Sequence, residues 1–159
     1  LIVIVLTSFA LLSLINLVTL IEPNNNQVIY DRTPEFKWIS RYNYFRFYLS
    51  NDRDFENLVV SEEVYGSNYK VNHSLYFGGY YWKVIALENQ REIQSNINKF
   101  KINSLVEVEI NQNLKNTGNT VVDVEISDKS GKITGAVVLD INQEMDVNND
   151  TLYKVKQNE

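Results

Sequence analysis

Residues 78–87 read Gly-Gly-Tyr-Tyr-Trp-Lys-Val-Ile-Ala-Leu, and this stretch decides the fold. Aromatic and β-branched side chains follow the glycine pair, and these residue types favour a β-strand. Side chains alternate between the two faces of a strand, so Tyr80, Trp82 and Val84 would share one face. An apolar face of this size predicts a strand in the core of a β-sandwich.

Shorter runs on both sides of this stretch show the same alternation. They lie at residues 35–39, 42–49, 57–60, 68–71 and 99–102, with polar turns between them. About seven short strands at such spacing predict an antiparallel β-sandwich. The predicted sandwich core consists of Phe36, Trp38, Tyr80, Trp82 and Val84.

Three motifs occur in this part of the chain in a definite order. They are Pro34-Glu35-Phe36-Lys37-Trp38, then Phe45-Arg46-Phe47-Tyr48-Leu49-Ser50-Asn51-Asp52 followed by Asp54-Phe55, then Leu75-Tyr76-Phe77-Gly78-Gly79-Tyr80-Tyr81-Trp82-Lys83-Val84. Their order resembles the fibronectin type III-like domains of prokaryotic surface proteins, across residues 23–103. The resemblance implies an immunoglobulin-like sandwich with Tyr80 as a tyrosine corner, its hydroxyl bonded to nearby backbone. It implies no activity, because such domains serve as spacers, adhesins and recognition modules.

Residues 104–159 form a second predicted unit, a small acidic β module. Strict alternation marks strands at residues 105–110 and 122–126, and further strands are predicted at 133–141 and 152–156. The turn at Asn116-Thr117-Gly118-Asn119 resembles those of small immunoglobulin-like modules of surface proteins. Four strands make a thin layer, so the module would pack against the first sandwich or against a neighbouring subunit.

An uncharged, mostly apolar run covers residues 1–21, and the first ionisable side chain is Glu22. As a helix, about 20 residues would extend roughly 30 Å, which is enough to cross a bilayer core. The sequence therefore predicts a hydrophobic helix over residues 1–22, and the expected fold class is mainly β with one long N-terminal α-helix. Its apolar positions are Leu1, Ile2, Val3, Ile4, Val5, Leu6, Phe9, Leu11, Leu12, Leu14, Ile15, Leu17, Val18, Leu20 and Ile21.

This run, with no Met and no basic flank before Leu1, resembles the start of a mature pilin. Bacterial type IV pilins carry Glu at the fifth mature position, whereas Val5 stands here, so the resemblance points to archaeal type IV pilins. It implies an extracellular cell-surface filament of identical subunits, with the helices as its core and the membrane as their location before assembly. The alternative is a membrane-anchored surface protein whose fibronectin-like domain is a binding or adhesion module.

Composition leaves little material for catalysis. The chain has no Cys and one His, and its formal net charge of −5 disfavours a nucleic-acid partner. Acidic and amide side chains crowd residues 140–150, but their spacing matches no calcium loop, so a polar hairpin loop is expected there. We expect no enzyme activity, no metal and no cofactor.

Asn72 and Asn149 open glycosylation sequons, which makes surface glycans candidate modifications. The tyrosines fit a sandwich core or a subunit interface better than a ligand site.

Overall fold

The computed structural model describes residues 18–158, and the chain divides into two compact units. Unit 1 ends at Ile102 and unit 2 begins at Asn103. Residues 18–158 contain strands, turns and bends but no helix, so the described part of the chain is all β.

Unit 1 is a sandwich of two β-sheets. Its strands are β1 (Thr19–Glu22), β2 (Gln27–Ile29), β3 (Glu35–Ile39), β4 (Tyr44–Ser50), β5 (Leu58–Tyr65), β6 (Asn68–Lys70), β7 (Gly78–Glu88), β8 (Arg91–Gln94) and β9 (Asn98–Ile102). One sheet has the order β1-β3-β6, and the other has the order β2-β9-β7-β4-β5, with β8 paired to the end of β7. The pairs are antiparallel except β2 and β9, which run parallel. A small sheet facing a larger one in this order is a fibronectin type III-like sandwich, as the sequence motifs indicated.

The core of unit 1 is a cluster of aromatic rings between the sheets. Phe36 from β3 contacts Phe47, Trp82 and Phe100 of the facing sheet, with ring centroids 4.8, 5.1 and 5.6 Å apart. These four rings are at most 1% exposed. Large aromatic side chains dominate core energetics by the area they bury, and tilted or edge-to-face contacts such as these add to that stabilisation.

Two hydrogen bonds connect this core to irregular backbone. The Trp82 indole Nε1 donates to the Pro23 carbonyl over 3.1 Å, in the segment that leads from β1 to β2. The Tyr80 hydroxyl donates to the Tyr76 carbonyl over 2.9 Å, which is the contact of a tyrosine corner. Burial raises the pKa of the Tyr80 hydroxyl, so the group remains a neutral donor at physiological pH.

The predicted N-terminal helix over residues 1–22 is wrong where the structure describes it. Thr19–Glu22 is strand β1, which pairs with β3, and Val18 and Leu20 belong to the sandwich core or pack against it. Residues 1–17, which hold the other predicted helix positions, lie outside the described residues. When nearly every residue is apolar, periodicity cannot separate a helix from a buried strand. The β-branched residues Val18, Thr19 and Ile21 favour the strand that forms.

Unit 2 contains two three-stranded sheets. Its strands are β10 (Val108–Ile110), β11 (Asn113–Asn116), β12 (Val122–Asp128), β13 (Ile133–Leu139), β14 (Glu144–Asp146) and β15 (Thr151–Gln157). The sheet orders are β10-β11-β14 and β13-β12-β15, all antiparallel. The sequence predicted four strands here. Strands β11 and β14 escaped prediction because runs of three or four polar-rich residues show no clear alternation.

A small apolar core and one buried amide hold unit 2 together. Leu114, Val122, Val124 and Leu139 are buried between its strands. The Asn116 side chain is also fully buried. Its Nδ2 donates to the carbonyls of Thr120, Leu139 and Asp140 over 2.9, 3.1 and 3.2 Å, and its Oδ1 accepts from the Gly118 N–H over 3.1 Å. One amide therefore satisfies backbone groups from two segments that form no ladder with each other.

Gly118 is buried because the backbone of residues 105–107 lies against it. Its N–H donates to the Glu107 carbonyl over 3.0 Å. A Cβ at this position would overlap the Leu105 carbonyl oxygen. The predicted turn at residues 116–119 is thus a close crossing of two backbone segments.

The two core tryptophans differ in one hydrogen bond, which gives a matched test. Trp38 Nε1 is buried and has no acceptor among residues 18–158, whereas Trp82 Nε1 is bonded to Pro23. We expect Trp82→Phe to lower the free energy of unfolding by about 1 kcal/mol more than Trp38→Phe does. Urea denaturation followed by circular dichroism measures both variants. Equal losses, or a larger loss for Trp38→Phe, would contradict the role given to the Pro23 contact.

Asn116→Asp keeps the shape of the side chain but removes its donor and places a carboxylate against three carbonyls. We expect a loss of about 3–5 kcal/mol in the stability of unit 2, because a buried charge is left without a partner. Asn148→Asp is the control, since its exposed Oδ1 accepts from the Asp150 N–H and a carboxylate can do the same. Thermal melts should separate the two variants widely. Near-equal melting temperatures would rule out the network as the main support of unit 2.

Candidate functional site

The outer face of the large sheet in unit 1 carries rings and cations in place of small polar residues. Because Phe45, Phe47 and Leu49 of β4 point into the core, their neighbours along the strand point outward. The same holds for the neighbours of Trp82 in β7 and of Phe100 in β9. We call the resulting surface the tyrosine face: Tyr44, Arg46, Tyr48, Tyr81, Lys83 and Lys99.

Cations lie over the rings of this face. The Lys83 ammonium is 5.7 Å from the centroid of Tyr48 and 4.3 Å from that of Phe55, and the Lys99 ammonium is 5.7 Å from that of Tyr81. Tyr48 and Phe55 meet edge to face at 6.4 Å. Cations within about 6 Å of a ring centroid are attracted to its face, so these side chains hold one another in place.

At one side of the face, two tyrosine rings stack. Tyr44 and Tyr65 lie 4.7 Å apart at an interplanar angle of 20°, and Tyr65 is 74% exposed. The Tyr44 hydroxyl donates to the Glu63 carboxylate, and this hydrogen bond raises the pKa of Tyr44. Arg46 lies between Glu63 and Glu92, at 3.5 and 3.7 Å. These contacts restrict the two rings although they face solvent.

The loop of residues 51–57 places Phe55 beside Lys83. Phe55 has a φ of 61°, a left-handed conformation that is rare for a bulky residue and has to be held by its surroundings. The Asp52 carboxylate supplies that hold by accepting four hydrogen bonds of 2.7–3.1 Å. The donors are the N–H groups of Asp54, Glu56 and Asn57 and the hydroxyl of Ser50.

The pKa of Asp52 reflects these hydrogen bonds. Desolvation works against the charged form and raises the pKa, but the hydrogen bonds from Asn57, Glu56 and Ser50 outweigh it and lower the pKa to about 2. The carboxylate therefore stays charged, and the loop stays organised, well into the acid range.

A second surface lies among loops at one end of the sandwich. Leu75, Tyr76, Phe77 and their neighbours line a hollow of about 310 Å³. The Arg32 guanidinium lies 4.9 Å from the Phe77 centroid, and its Nε donates to the Leu75 carbonyl over 2.9 Å. Tyr76 is 82% exposed at the rim.

The residues singled out from the sequence lie outside the tyrosine face, and one of them, Tyr80, lines the hollow. The predicted core residues Phe36, Trp38, Tyr80, Trp82 and Val84 are at most 3% exposed and shape the sandwich from inside. Asn72 and Asn149 are exposed in irregular segments, and their glycosylation stays a prediction.

The tyrosine face was not predicted from the sequence. A strand in which both the inward-facing and the outward-facing positions carry large side chains is the sequence signal for such a face, as in Tyr80-Tyr81-Trp82-Lys83. The inward-facing side chains fill the core, and the outward-facing ones place rings on the surface.

Two findings apply to residues 18–158 alone. Among them, no three His, Asp or Glu side chains are grouped so that they could hold a metal ion. No helix within this range is long and apolar enough to span a membrane.

Asp52→Asn tests how the loop is held. The folded-state pKa lies below the unfolded value of about 3.9, so the carboxylate stabilises the fold above that pH and the contribution is lost as the pH falls toward about 2. We expect the variant to have a lower melting temperature than the parent protein at neutral pH. This difference in melting temperature should disappear between about pH 4 and pH 2. Asp54→Asn, an exposed carboxylate in the same loop, is the matched control. A gap for Asp52→Asn that is independent of pH would contradict this account.

Comparison with known proteins gives a limited result. No model of a known protein family matches the chain. No curated protein matches it either. Among solved structures, a two fibronectin type-III domain segment from chicken tenascin aligns with 90% of this chain and 98% of that one, at 8% identity and a TM-score of 0.39. Agreement at that level shows neither family nor function, so the fold assignment rests on strand order and the tyrosine corner.

Proposed function

We propose that the chain is a non-enzymatic binding or adhesion module, and that the tyrosine face of unit 1 is where it contacts a partner protein. One observation carries the proposal: three tyrosines, an arginine and two lysines occupy the outer face of a sheet whose other face already fills the core. Tyr and Arg are enriched in protein interfaces and are frequent among the residues that dominate binding.

The restricted conformations of these side chains support a binding role. Ring and cation contacts restrict Tyr48, Tyr81 and Lys83 before any partner arrives. Less conformational entropy is then lost on association, so more of the contact energy appears as affinity.

The charge of the face favours an acidic partner. Arg46 is balanced by Glu63 and Glu92. Lys83 and Lys99 form no ion pair with any carboxylate of residues 18–158, although Lys83 donates to the Gln94 side chain over 3.1 Å. Their charges are available to a partner, and they would increase its rate of association.

An extracellular, cell-surface location is part of this proposal. It is supported by the resemblance of residues 34–84 to surface-protein domains and by the fold of unit 1. The filament hypothesis depended on a helix over residues 1–22, and β1 removes the part of that helix that falls in the described chain. We therefore do not propose a filament.

Alanine substitutions on the two outer faces of unit 1 test the proposal. Tyr48→Ala and Lys83→Ala change the tyrosine face, and Lys37→Ala removes an exposed lysine from the outer face of the smaller sheet. The probe is an envelope protein extract of the source cells, captured on the immobilised 159-residue chain. We expect the two face variants to reduce capture about tenfold or more, and Lys37→Ala to leave it unchanged.

Thermal melts check that all three variants fold. Capture that is equal across folded variants, or lost with Lys37→Ala, would overturn the assignment of the tyrosine face.

A further inference from the structure

We infer that the free edge of β13 in unit 2 is a self-association surface, at which two copies of the chain pair their β13 strands antiparallel. This inference concerns the second unit and does not depend on the tyrosine face. Strand β13 pairs with β12 on one side only and lies at the edge of its sheet. The backbone groups along its other side are a template for another strand.

The composition of β13 sets it apart from the other edge strands of residues 18–158. It has seven residues, Ile-Thr-Gly-Ala-Val-Val-Leu, without a charge or a proline. Ile133 and Val138 are 59% and 52% exposed. Natural edge strands are usually kept from pairing by shortness, by charge or by proline.

Each other described edge has one of those protections. The edge strand β5 carries Glu62 and Glu63, and β15, on the far side of the same sheet as β13, carries Lys154 and Lys156. The remaining edges, β1, β2, β6, β8, β10 and β14, have three or four residues. Strand β13 is thus the long edge without a charge or a proline. Its register with β12 shifts at Thr134, between the pairs Ile126–Gly135 and Ser127–Ile133, and from Gly135 to Leu139 the pairing is regular.

A second copy is the occupant because β13 is complementary to itself. Lys132 precedes the strand and Asp140 follows it, and both are exposed. If two copies pair antiparallel with Ala136 opposite Ala136, each Lys132 lies opposite the Asp140 of the other copy. The two-fold axis repeats this pair at both ends of the interface, as an isologous contact requires. A parallel pairing would instead bring like charges together, which is unfavourable across strands.

The apolar side chains fit the same arrangement. Thr134 and Val138, which are both exposed, would lie opposite each other, so the exposed methyl groups of one copy would cover those of the other. A hollow of about 370 Å³ beside β13 is lined by Ile133, Ala136 and Val138, with Asp123 and Glu125 of β12 and Lys156 of β15 as its charged side chains. A seven-residue edge buries less area than a permanent dimer needs, so the expected dimer is weak and reversible.

A single cysteine tests the register. The chain has no cysteine, so Ala136→Cys introduces one thiol per copy. Directly opposed residues of antiparallel strands have Cα atoms about 4.5–5.5 Å apart, within disulfide range. Under mild oxidation the full 159-residue chain should form a disulfide-linked dimer. Lys154→Cys, exposed on the opposite edge of the sheet, is the control and should stay monomeric.

Charge reversal tests the pairing without a covalent bond. Lys132→Asp places two acidic pairs across the interface, and we expect about a tenfold or greater weakening of dimerisation in analytical ultracentrifugation. The double variant Lys132→Asp with Asp140→Lys restores opposite charges and should restore dimerisation. Residues 1–17 are identical in all variants, so association through them would be common to all.

Two results would overturn the inference. One is a parent chain that remains monomeric at every concentration reached while the Ala136→Cys variant shows no cross-link. The other is cross-linking through Lys154→Cys, or a double variant no better than Lys132→Asp alone. Circular dichroism shows whether each variant is folded, so that loss of pairing is separated from loss of structure.

Discussion

The packing of Phe36 against Phe47, Trp82 and Phe100 is the contact on which unit 1 depends. It joins the two sheets through rings that belong to four different strands, so each strand is placed by its share of one cluster. The tyrosine face follows from the same geometry. Trp82 and Phe47 point inward, and successive side chains of a strand point to opposite faces. Tyr81, Lys83 and Tyr48 therefore point outward.

The sandwich could be predicted from sequence because its strands face a core on one side and solvent on the other. Tyr80 and Trp82 alternate with residues that need not be apolar. This alternation can be recognised in the sequence alone. Residues 18–22 carry no such contrast. An apolar run satisfies a helix, a membrane span or a buried strand equally, and the partner strand β3, distant in sequence, decides the outcome.

The remaining features arise from contacts between distant residues. Asn116 is one of many asparagines in the sequence, and its role depends on carbonyls more than 20 residues away. The cations over Tyr48 and Tyr81 come from neighbouring strands, so the tyrosine face depends on register. Register sets which residues lie opposite one another, and the pattern of a single strand does not contain it.

The segment from Pro23 to Ile29 has a mechanical consequence. It leaves the small sheet after β1 and joins the large one as β2, parallel to β9, the strand that ends unit 1. If the two ends of unit 1 are pulled apart, β2 and β9 are drawn in opposite directions along a shared axis. Their hydrogen bonds, and the bond from the Asn26 N–H to the Lys99 carbonyl, then bear the load together instead of opening one by one. This arrangement resists tension applied between the two ends of unit 1.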